Sequence, residues 1–550
     1  MKIKMIVMAT AALAVGLLVA GEGAPKAPLL RIGAMSDNHL DAKHPETYRR
    51  TKACFELFRR LGADIVVDTG DIANRSDVND LAYCRKCFDE AFAGTDCVPF
   101  FCIANHDYNY VPNTKRNDPA NIENAWRALK MPGPNPTAVV KGYRFVNVFQ
   151  NEPKPNALRE AVAKAVAENE ANRPVFVVNH IPPSQTTTAT DFWSSPDVRA
   201  ALDPFPQIVA LTGHNHESVI WPANIWQGTF TSINLGAHAD YSNKIEGEVA
   251  FLEVYADRID VRRYEAVSGR ELGADDRWSI PLPLDPKNGP YRPEVRAKTC
   301  VSPALPPTAT CDCRVSKDGV TGTFHVTAAA PRGSAHQYSL EFEEQGADGT
   351  WRVLSVCWKR ALQVADPAET IDYSVPMAMF DAGRPHRVTV TPFNSHDVKG
   401  LGRTFAFEVP RRSWATLPAE EMALAGADGW LVHGKKDVFV TLPKAIGASV
   451  RAGNRVTLVI DMAMEQAERG NVVSLWKVGS RGNVDKYYGE RCATKPGTVA
   501  SHRFAWTLGE KPFRDGDELR LAIFWGGKSR FKINGVKAYV HEVEKGKRRK

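Results

Sequence analysis

Beyond its first twenty residues this chain has no apolar run long enough to cross a bilayer, which excludes a bundle of membrane-spanning helices. It also lacks a charge surplus once its ends are set aside. The formal net charge of +7 equals the contribution of Lys2, Lys4, Lys545, Lys547, Arg548, Arg549 and Lys550, so the body between them is near neutral. A near-neutral body has no electrostatic footprint for a polyanion, and no nucleic acid is expected as a partner. The chain has no internal repeat, which sets solenoids and propellers aside. Cys84 and Cys87 form a C-x-x-C pair, but no second pair completes a zinc site, and Cys311-Asp312-Cys313 has the wrong spacing.

What is present begins with a leader. Met1 to Ala20 reads as a charged n-region followed by an apolar h-region, the pattern of a cleaved signal peptide, with no stop-transfer charges and no lipidation cysteine after it. Export to a periplasm or beyond is expected, with no transmembrane segment left after cleavage. The ten cysteines are an even count compatible with disulfides, and Cys84 and Cys87 are read as helix packing or disulfide partners. A chain of 550 residues exceeds what one core supports and predicts two or three domains.

From residue 29 to about 275, strand-like runs alternate with helix-like segments, the signature of a layered α/β domain. Cys54, Leu57, Phe58 and Leu61 recur at helical spacing before Gly62, for example. Residues 276–307 are dense in proline and predict a linker or an extended wrap. Short alternating strands follow, predicting a β-sandwich over 308–411 and a second over 412–545. The run from Arg387 to Gly402 resembles the late strands of a fibronectin type III module. The ending from Leu521 to Glu542 resembles a jelly-roll module of the carbohydrate-binding kind, which implies contact with polysaccharide or a cell surface.

Five short segments carry chemistry, and each follows a strand-like run. They are Asp37-Asn38-His39, Gly70-Asp71-Ile72-Ala73-Asn74, Asn105-His106-Asp107, His180, and Gly213-His214-Asn215-His216. Sites of open α/β sheets form at the carboxyl ends of strands, so segments distant in sequence can meet on one rim. Carboxylate, imidazole and amide donors together suit a pair of divalent ions such as manganese, iron or zinc. Asp37 with His39, and His214 with His216, are two residues apart, which on an extended segment puts both side chains on one side. Seven of the fourteen histidines lie in the α/β region, and five of those fall inside the motifs. A lone D-x-H or G-H-x-H signifies little, but five such segments in one order at strand ends do not arise by accident.

The order D-x-H, G-D-x-x-N, N-H-D, H, G-H-x-H resembles the calcineurin-like metallophosphoesterase family over Leu29 to Tyr264. The resemblance implies a four-layer α/β sandwich, two mixed β-sheets flanked by helices. It implies one metal held by Asp37, His39, Asp71 and His216, and another held by Asp71, Asn105, His180 and His214. His106 is then a general acid or phosphate contact with Asp107 orienting its imidazole. The implied activity is hydrolysis of a phosphomonoester or phosphodiester through in-line attack by a metal-bridging hydroxide. Ala104 stands where the family usually has glycine, and would be strained if that position needs a positive φ. Asn74 stands where purple acid phosphatases carry a metal-binding tyrosine, which disfavours that subgroup. Tyr108, Tyr110, Asn179, Trp193 and His238 are candidates for lining the substrate pocket. Two other readings are a surface-binding or adhesion protein acting through its β modules, and a metal-dependent nuclease, which the near-neutral body disfavours.

Overall fold

The computed structural model describes residues 27–541 apart from 150–155, 171, 188–193, 239–244, 332, 362–369, 412–413, 423–428, 434–437, 466–470, 480–483, 493–498, 510–512 and 525–528. The leader and the basic tail therefore lie outside the described residues. No helix of the described residues is long and apolar enough to cross a membrane. The chain divides into two compact units, one built mainly of residues up to Arg292 and one from Pro293 onward.

The first unit opens with β1 (Leu30–Met35), α1 (Glu46–Leu61), β2 (Ile65–Asp68), α2 (Val78–Ala91), β3 (Val98–Phe101), α3 (Asn105–Tyr108) and α4 (Pro119–Ala128). There follow β4 (Thr137–Val140), β5 (Tyr143–Val146), α5 (Ala157–Ala167), β6 (Val175–Val178), α6 (Pro196–Leu202), β7 (Ile208–Thr212), β8 (Ile225–Gln227) and β9 (Thr231–Asn234). The unit closes with β10 (Glu248–Val254), β11 (Arg258–Glu265), β12 (Arg270–Leu272) and β13 (Trp278–Pro281). Local chemistry sets the helix ends. Asp77 accepts from the amide of Asn79 at the start of α2, Asp118 from that of Ala120 before α4, and Gly62 ends α1 in the left-handed conformation.

One sheet has the order β12-β11-β10-β1-β2-β3 with β13 added on β11, and the other β4-β5-β6-β7-β9-β8. Both are mixed. β1, β2 and β3 run parallel while β10 is antiparallel to β1, and β5, β6, β7 and β9 run parallel while β4 and β8 are antiparallel edges. Ile32, Val67, Phe100, Phe145, Phe176, Val209 and Leu252 form one buried cluster between the sheets. Outside the first sheet, Cys54, Phe55, Phe58, Leu81, Cys84 and Phe88 of α1 and α2 cover Val66, Phe101 and Phe251. Outside the second, Val162 of α5 and Leu202 of α6 cover Val177 and Ala210. This is the helix-sheet-sheet-helix sandwich, and strands buried on both faces read as nearly continuous apolar runs for that reason.

Two expectations need correction. The proline-dense stretch does not begin as a free linker at 276, because Trp278–Pro281 pairs with β11 and Trp278 is fully buried under the Arg263 guanidinium. Nor do Cys54, Cys84, Cys87, Cys97, Cys102 and Cys311 form bridges, since each is a free thiol; the side chain of Cys492 lies outside the described residues. Cys84 and Cys87 face the core from successive turns of α2, and burial pushes the Cys84 thiol well above its ordinary value, so this C-x-x-C is packing.

The second unit is dominated by antiparallel β-sheets. Strands Cys311–Val315, Thr321–Thr327 and Thr370–Pro376 form one sheet, and Trp351–Arg360, Gln337–Gln345, His386–Phe393 and Arg403–Phe407 form another. Phe324, Leu340, Phe342 and Val388 fill the space between. A second pair of sheets, centred on Arg455–Glu465 and on Glu518–Phe524, encloses Leu458, Ile460, Leu475 and Leu521. The cores of the two sandwiches meet at one strand. Along one strand Leu458 and Ile460 face their own sandwich while Val459, on the opposite face, joins the cluster of Phe324 and Leu340. Arg503 ties the seam, donating to Asp461 Oδ1 at 2.7 Å and to the Met379 carbonyl at 3.1 Å.

Gly33 marks how tightly α1 sits on the first sheet. A Cβ there would stand 2.5 Å from Cγ of the fully buried Phe58. Gly33→Ala should therefore destabilise the first unit by about 1 to 3 kcal/mol through overpacking. A denaturant midpoint unchanged from the native protein would show that α1 slides to accept the methyl.

Candidate metal centre

The loops that follow β1 and β2 are zipped together by backbone bonds. Asp37 N donates to the Gly70 carbonyl, His39 N to that of Asp71 and Leu40 N to that of Ile72, each at 2.8 to 3.0 Å. The D-x-H segment is thereby held against the G-D loop. Asp37 (φ 54°), His39 (φ 43°), Asp71 (φ 56°), His214 (φ 71°) and His216 (φ 53°) all lie in the left-handed region. This corrects the expectation of extended segments. The pairs two residues apart share a side because left-handed residues alternate with ordinary ones, not because the chain is a strand. Aspartate and histidine are among the non-glycine residues that enter this region most readily.

The donor atoms converge as two triads. Asp37, His39 and His216 form one, and Asp71, His180 and His214 the other. In the first, Asp37 Oδ1 lies 3.3 Å from His216 Nε2 and 3.7 Å from His39 Nε2, and the two imidazole nitrogens are 3.1 Å apart. In the second, His180 Nε2 lies 3.0 Å from Asp71 Oδ2 and 3.0 Å from His214 Nδ1. Atoms that share a metal at about 2.0 to 2.2 Å stand roughly 3 to 3.5 Å from one another, so these spacings suit bound ions. Asp37 Oδ1 also comes within 3.9 Å of His180 Nε2, which makes the triads neighbours.

A buried, unsatisfied acceptor is costly, and Asp37 Oδ1 is one: it is fully enclosed and has no hydrogen-bond partner. Its sister Oδ2 is saturated, accepting from Ser36 Oγ at 2.5 Å and His214 N at 2.9 Å. Thr69 Oγ1 donates in turn to Ser36 Oγ at 2.5 Å. The oxygen left over is the one that faces three imidazoles, and a divalent cation there satisfies it. Burial alone would raise the Asp37 and Asp71 carboxyls. The imidazoles, His180 foremost, instead hold both well below the usual carboxylate range. Burial would lower His180, but Asp71 and Asp37 carry it up to about 9, while burial and then His180 take His214 down to about 4.

Asp107 has a different task from the one expected. Its Oδ2 accepts from the amides of Asp71 at 3.0 Å and Ala104 at 2.8 Å, and its Oδ1 accepts from that of Ala73 at 2.8 Å. It does not orient His106; it clasps the backbone of the two ligand loops. His106 is oriented by the Asn74 carbonyl, which accepts from Nδ1–H at 2.8 Å. A carbonyl can only accept, so Nδ1 carries the proton and Nε2 is the exchangeable nitrogen. Burial holds the imidazole below its ordinary value. The ring stands edge-on to His39, with centroids 4.6 Å apart, and the His106 backbone amide donates to Asp71 Oδ1 at 2.7 Å.

Asn105 opens α3, half-buried, immediately before His106. Asn74 turns its amide to Asp41 Oδ2 at 2.9 Å. Ala104 is unstrained, with φ −134° and ψ −174°, and its methyl fits because Gly70 opposite has no side chain: a Cβ on Gly70 would stand 2.7 Å from it. Of the pocket candidates, Tyr108 packs on Phe149, Asn179 is buried against the Ile181 carbonyl, and His238 is buried between Thr51 and Cys54. Tyr110 alone of the described candidates is open to solvent, and Trp193 lies outside the described residues. Ser36 and Thr69 escape sequence reasoning, since a hydroxyl relay has no spacing signature.

Residues 30–218 match the model of the calcineurin-like phosphoesterase family. Among solved structures, the chain is similar to a dimetal phosphatase from Danio rerio at 12% identity, covering 46% of this chain and 99% of that one, with a TM-score of 0.34. It is also similar to a purple acid phosphatase from yellow lupin (Lupinus luteus) seeds at 12% identity, covering 46% of this chain and 53% of that one, with a TM-score of 0.34. No curated protein matches the chain.

Gly213 is where the two sheets' loops touch. A Cβ there would meet Ser36 Oγ at 1.8 Å and Asp37 Oδ2 at 2.4 Å. Gly213→Ala should displace the Asp37 carboxylate and cut metal affinity by about 10- to 100-fold, the usual effect of losing a group that orients a ligand. Calorimetric titration with manganese or zinc measures it, and native affinity in the variant would refute this role for the contact.

Proposed function

We propose that this chain, whose residues 30–218 form a calcineurin-like phosphoesterase domain, is an exported hydrolase that cleaves a phosphomonoester or phosphodiester with two divalent ions. The observation that carries the reading is the orphaned Asp37 Oδ1 between two adjacent triads. Asp37, His39 and His216 would hold one ion, and Asp71, Asn105, His180 and His214 would hold the other, with Asp71 available to both. When bound, such a pair neutralises charge on the phosphoryl oxygens and lowers the pKa of a coordinated water.

The chain's own residues supply the rest. Asp107 and the Ser36 hydroxyl keep the two carboxylates in place. His106, fixed at Nδ1 by Asn74, presents Nε2 to the departing oxygen and, in its doubly protonated imidazolium form, transfers the Nε2 proton there, ending as the neutral ring with Nδ1–H on the Asn74 carbonyl. The leader-like Met1 to Ala20 supports export. Phe439, 45% exposed, and Trp476, with ring centroids 5.2 Å apart on one sheet of the second unit, support a further role in contact with polysaccharide or a cell surface. Retention of the full chain on insoluble polysaccharide, lost in Phe439→Ala, tests that role, and equal retention of both proteins removes it.

The phosphoesterase reading is tested with metal-loaded protein on a panel of mono- and diesters, where inactivity throughout would overturn it. Asp71→Ala should abolish turnover and lose metal. His106→Ala should lower kcat by about 10² to 10⁴ while both ions remain. Equal metal loss in the two variants would refute the division of roles.

A further inference from the structure

His106 has a second ring neighbour besides His39. Tyr110 packs against it with ring centroids 4.5 Å apart and planes inclined by 34°, a tilted ring contact. The contact is built in. Ser76 Oγ donates to the His106 carbonyl at 2.8 Å, and Tyr110 N donates to the same Ser76 Oγ at 2.8 Å, so one hydroxyl fixes the backbone of both ring-bearing residues. Ser76 itself is held in the left-handed conformation at φ 58°. Such a conformation is kept only where its surroundings dictate it.

Yet Tyr110 is 47% exposed, while its neighbour Tyr108 is 2% exposed and packed into the core. Exposing a rigid aromatic ring beside a proton donor gives folding nothing. It does give a ligand a flat apolar surface, and the ring is already ordered by its contact with His106, which reduces the entropy lost on binding. The position on the reaction path follows from the chemistry. The atom that takes a proton from the His106 imidazolium is the departing oxygen, so the group that oxygen carries lies beside the ring that Tyr110 packs against.

We infer that Tyr110 is a specificity-determining residue, a stacking platform that selects phosphoesters whose departing alcohol bears an aromatic ring. This rests on the phosphoesterase reading and on His106 facing the leaving group. It assigns the leaving-group side of the substrate, which the two metal triads do not define. No bond is made or broken by Tyr110; it binds the ring in the substrate and in the transition state alike.

The experiment compares two esters with alkoxides of similar basicity and size, benzyl phosphate and cyclohexylmethyl phosphate, on the metal-loaded full chain. The native protein should favour the benzyl ester in kcat/KM by about 2- to 12-fold, the range of an aromatic pair. Tyr110→Ala should abolish that preference chiefly by lowering kcat/KM for the benzyl ester, and Tyr110→Phe should retain it. A loss shared equally by both esters would mean that Tyr110 only braces His106, and would overturn the inference. So would an equal preference in the native and Tyr110→Ala proteins. Turnover of the cyclohexylmethyl ester without preference defeats this inference alone, whereas inactivity on both esters and on the wider panel defeats the phosphoesterase reading and this inference with it.

Discussion

The contact between the Asp37 carboxylate and the Gly213–His214 backbone is the constraint on which the site depends. Asp37 opens the loop after β1 of one sheet, and Gly213 and His214 follow β7 of the other. His214 N donates to Asp37 Oδ2 at 2.9 Å, and only a residue without a side chain at 213 allows the approach. One oxygen thereby joins the carboxyl ends of the two sheets, and the other oxygen is left facing His39, His180 and His216. A salt of buried carboxylates and imidazoles is a poor source of stability on its own, because desolvation offsets most of the attraction. Its value here is geometric: it sets the separation at which two triads of donors become neighbours.

That geometry is bought with backbone strain. Five of the thirteen non-glycine residues with left-handed backbone among the described residues belong to the two triads. Each such residue costs on the order of 1 kcal/mol or more and persists only where the surroundings over-determine it. The over-determination is visible. Asp107 accepts three amides from the Asp71 and Ala104 loops, and Asp68 accepts from Gly70 N and Asn38 Nδ2 behind them. Burial pushes the Asp68 carboxyl well above the usual range, yet its two donors give it the bonds it needs. Buried acids outside the two triads thus carry the loops that present the acids within them.

Much of this was legible in the sequence, and the reason is specific. A metal ligand must be one of a few residue types at the end of a strand, so both the identities and the apolar runs before them are written in order along the chain. The α/β layers were legible on the same grounds, since α1 and the doubly buried strands have clear periodicity. Asp107 misled because N-H-D suggests a dyad by adjacency, whereas the short helix α3 turns the aspartate inward and the histidine outward. The alternation of left-handed residues was hidden because spacing by two looks the same in a strand. Ala104 raised a concern about strain that its extended backbone removes. Trp278 was hidden among prolines, whose density said "linker" while one tryptophan completed a sheet edge.

The second unit shows where sequence patterning stops. Alternation found its strands, but period two distinguishes only two sides, core and solvent, and does not show a strand whose two faces are both buried. Val459 occupies the side that should be wet and is instead buried with Phe324 and Leu340. The residues that betray such a seam are the ones that break the binary code: an apolar side chain on a solvent face, and an arginine, Arg503, enclosed where two cores meet. Tyr110 is the same kind of exception at the metal centre, an ordered aromatic ring left in water. In both places the departure from burial, more than the pattern, carries the information.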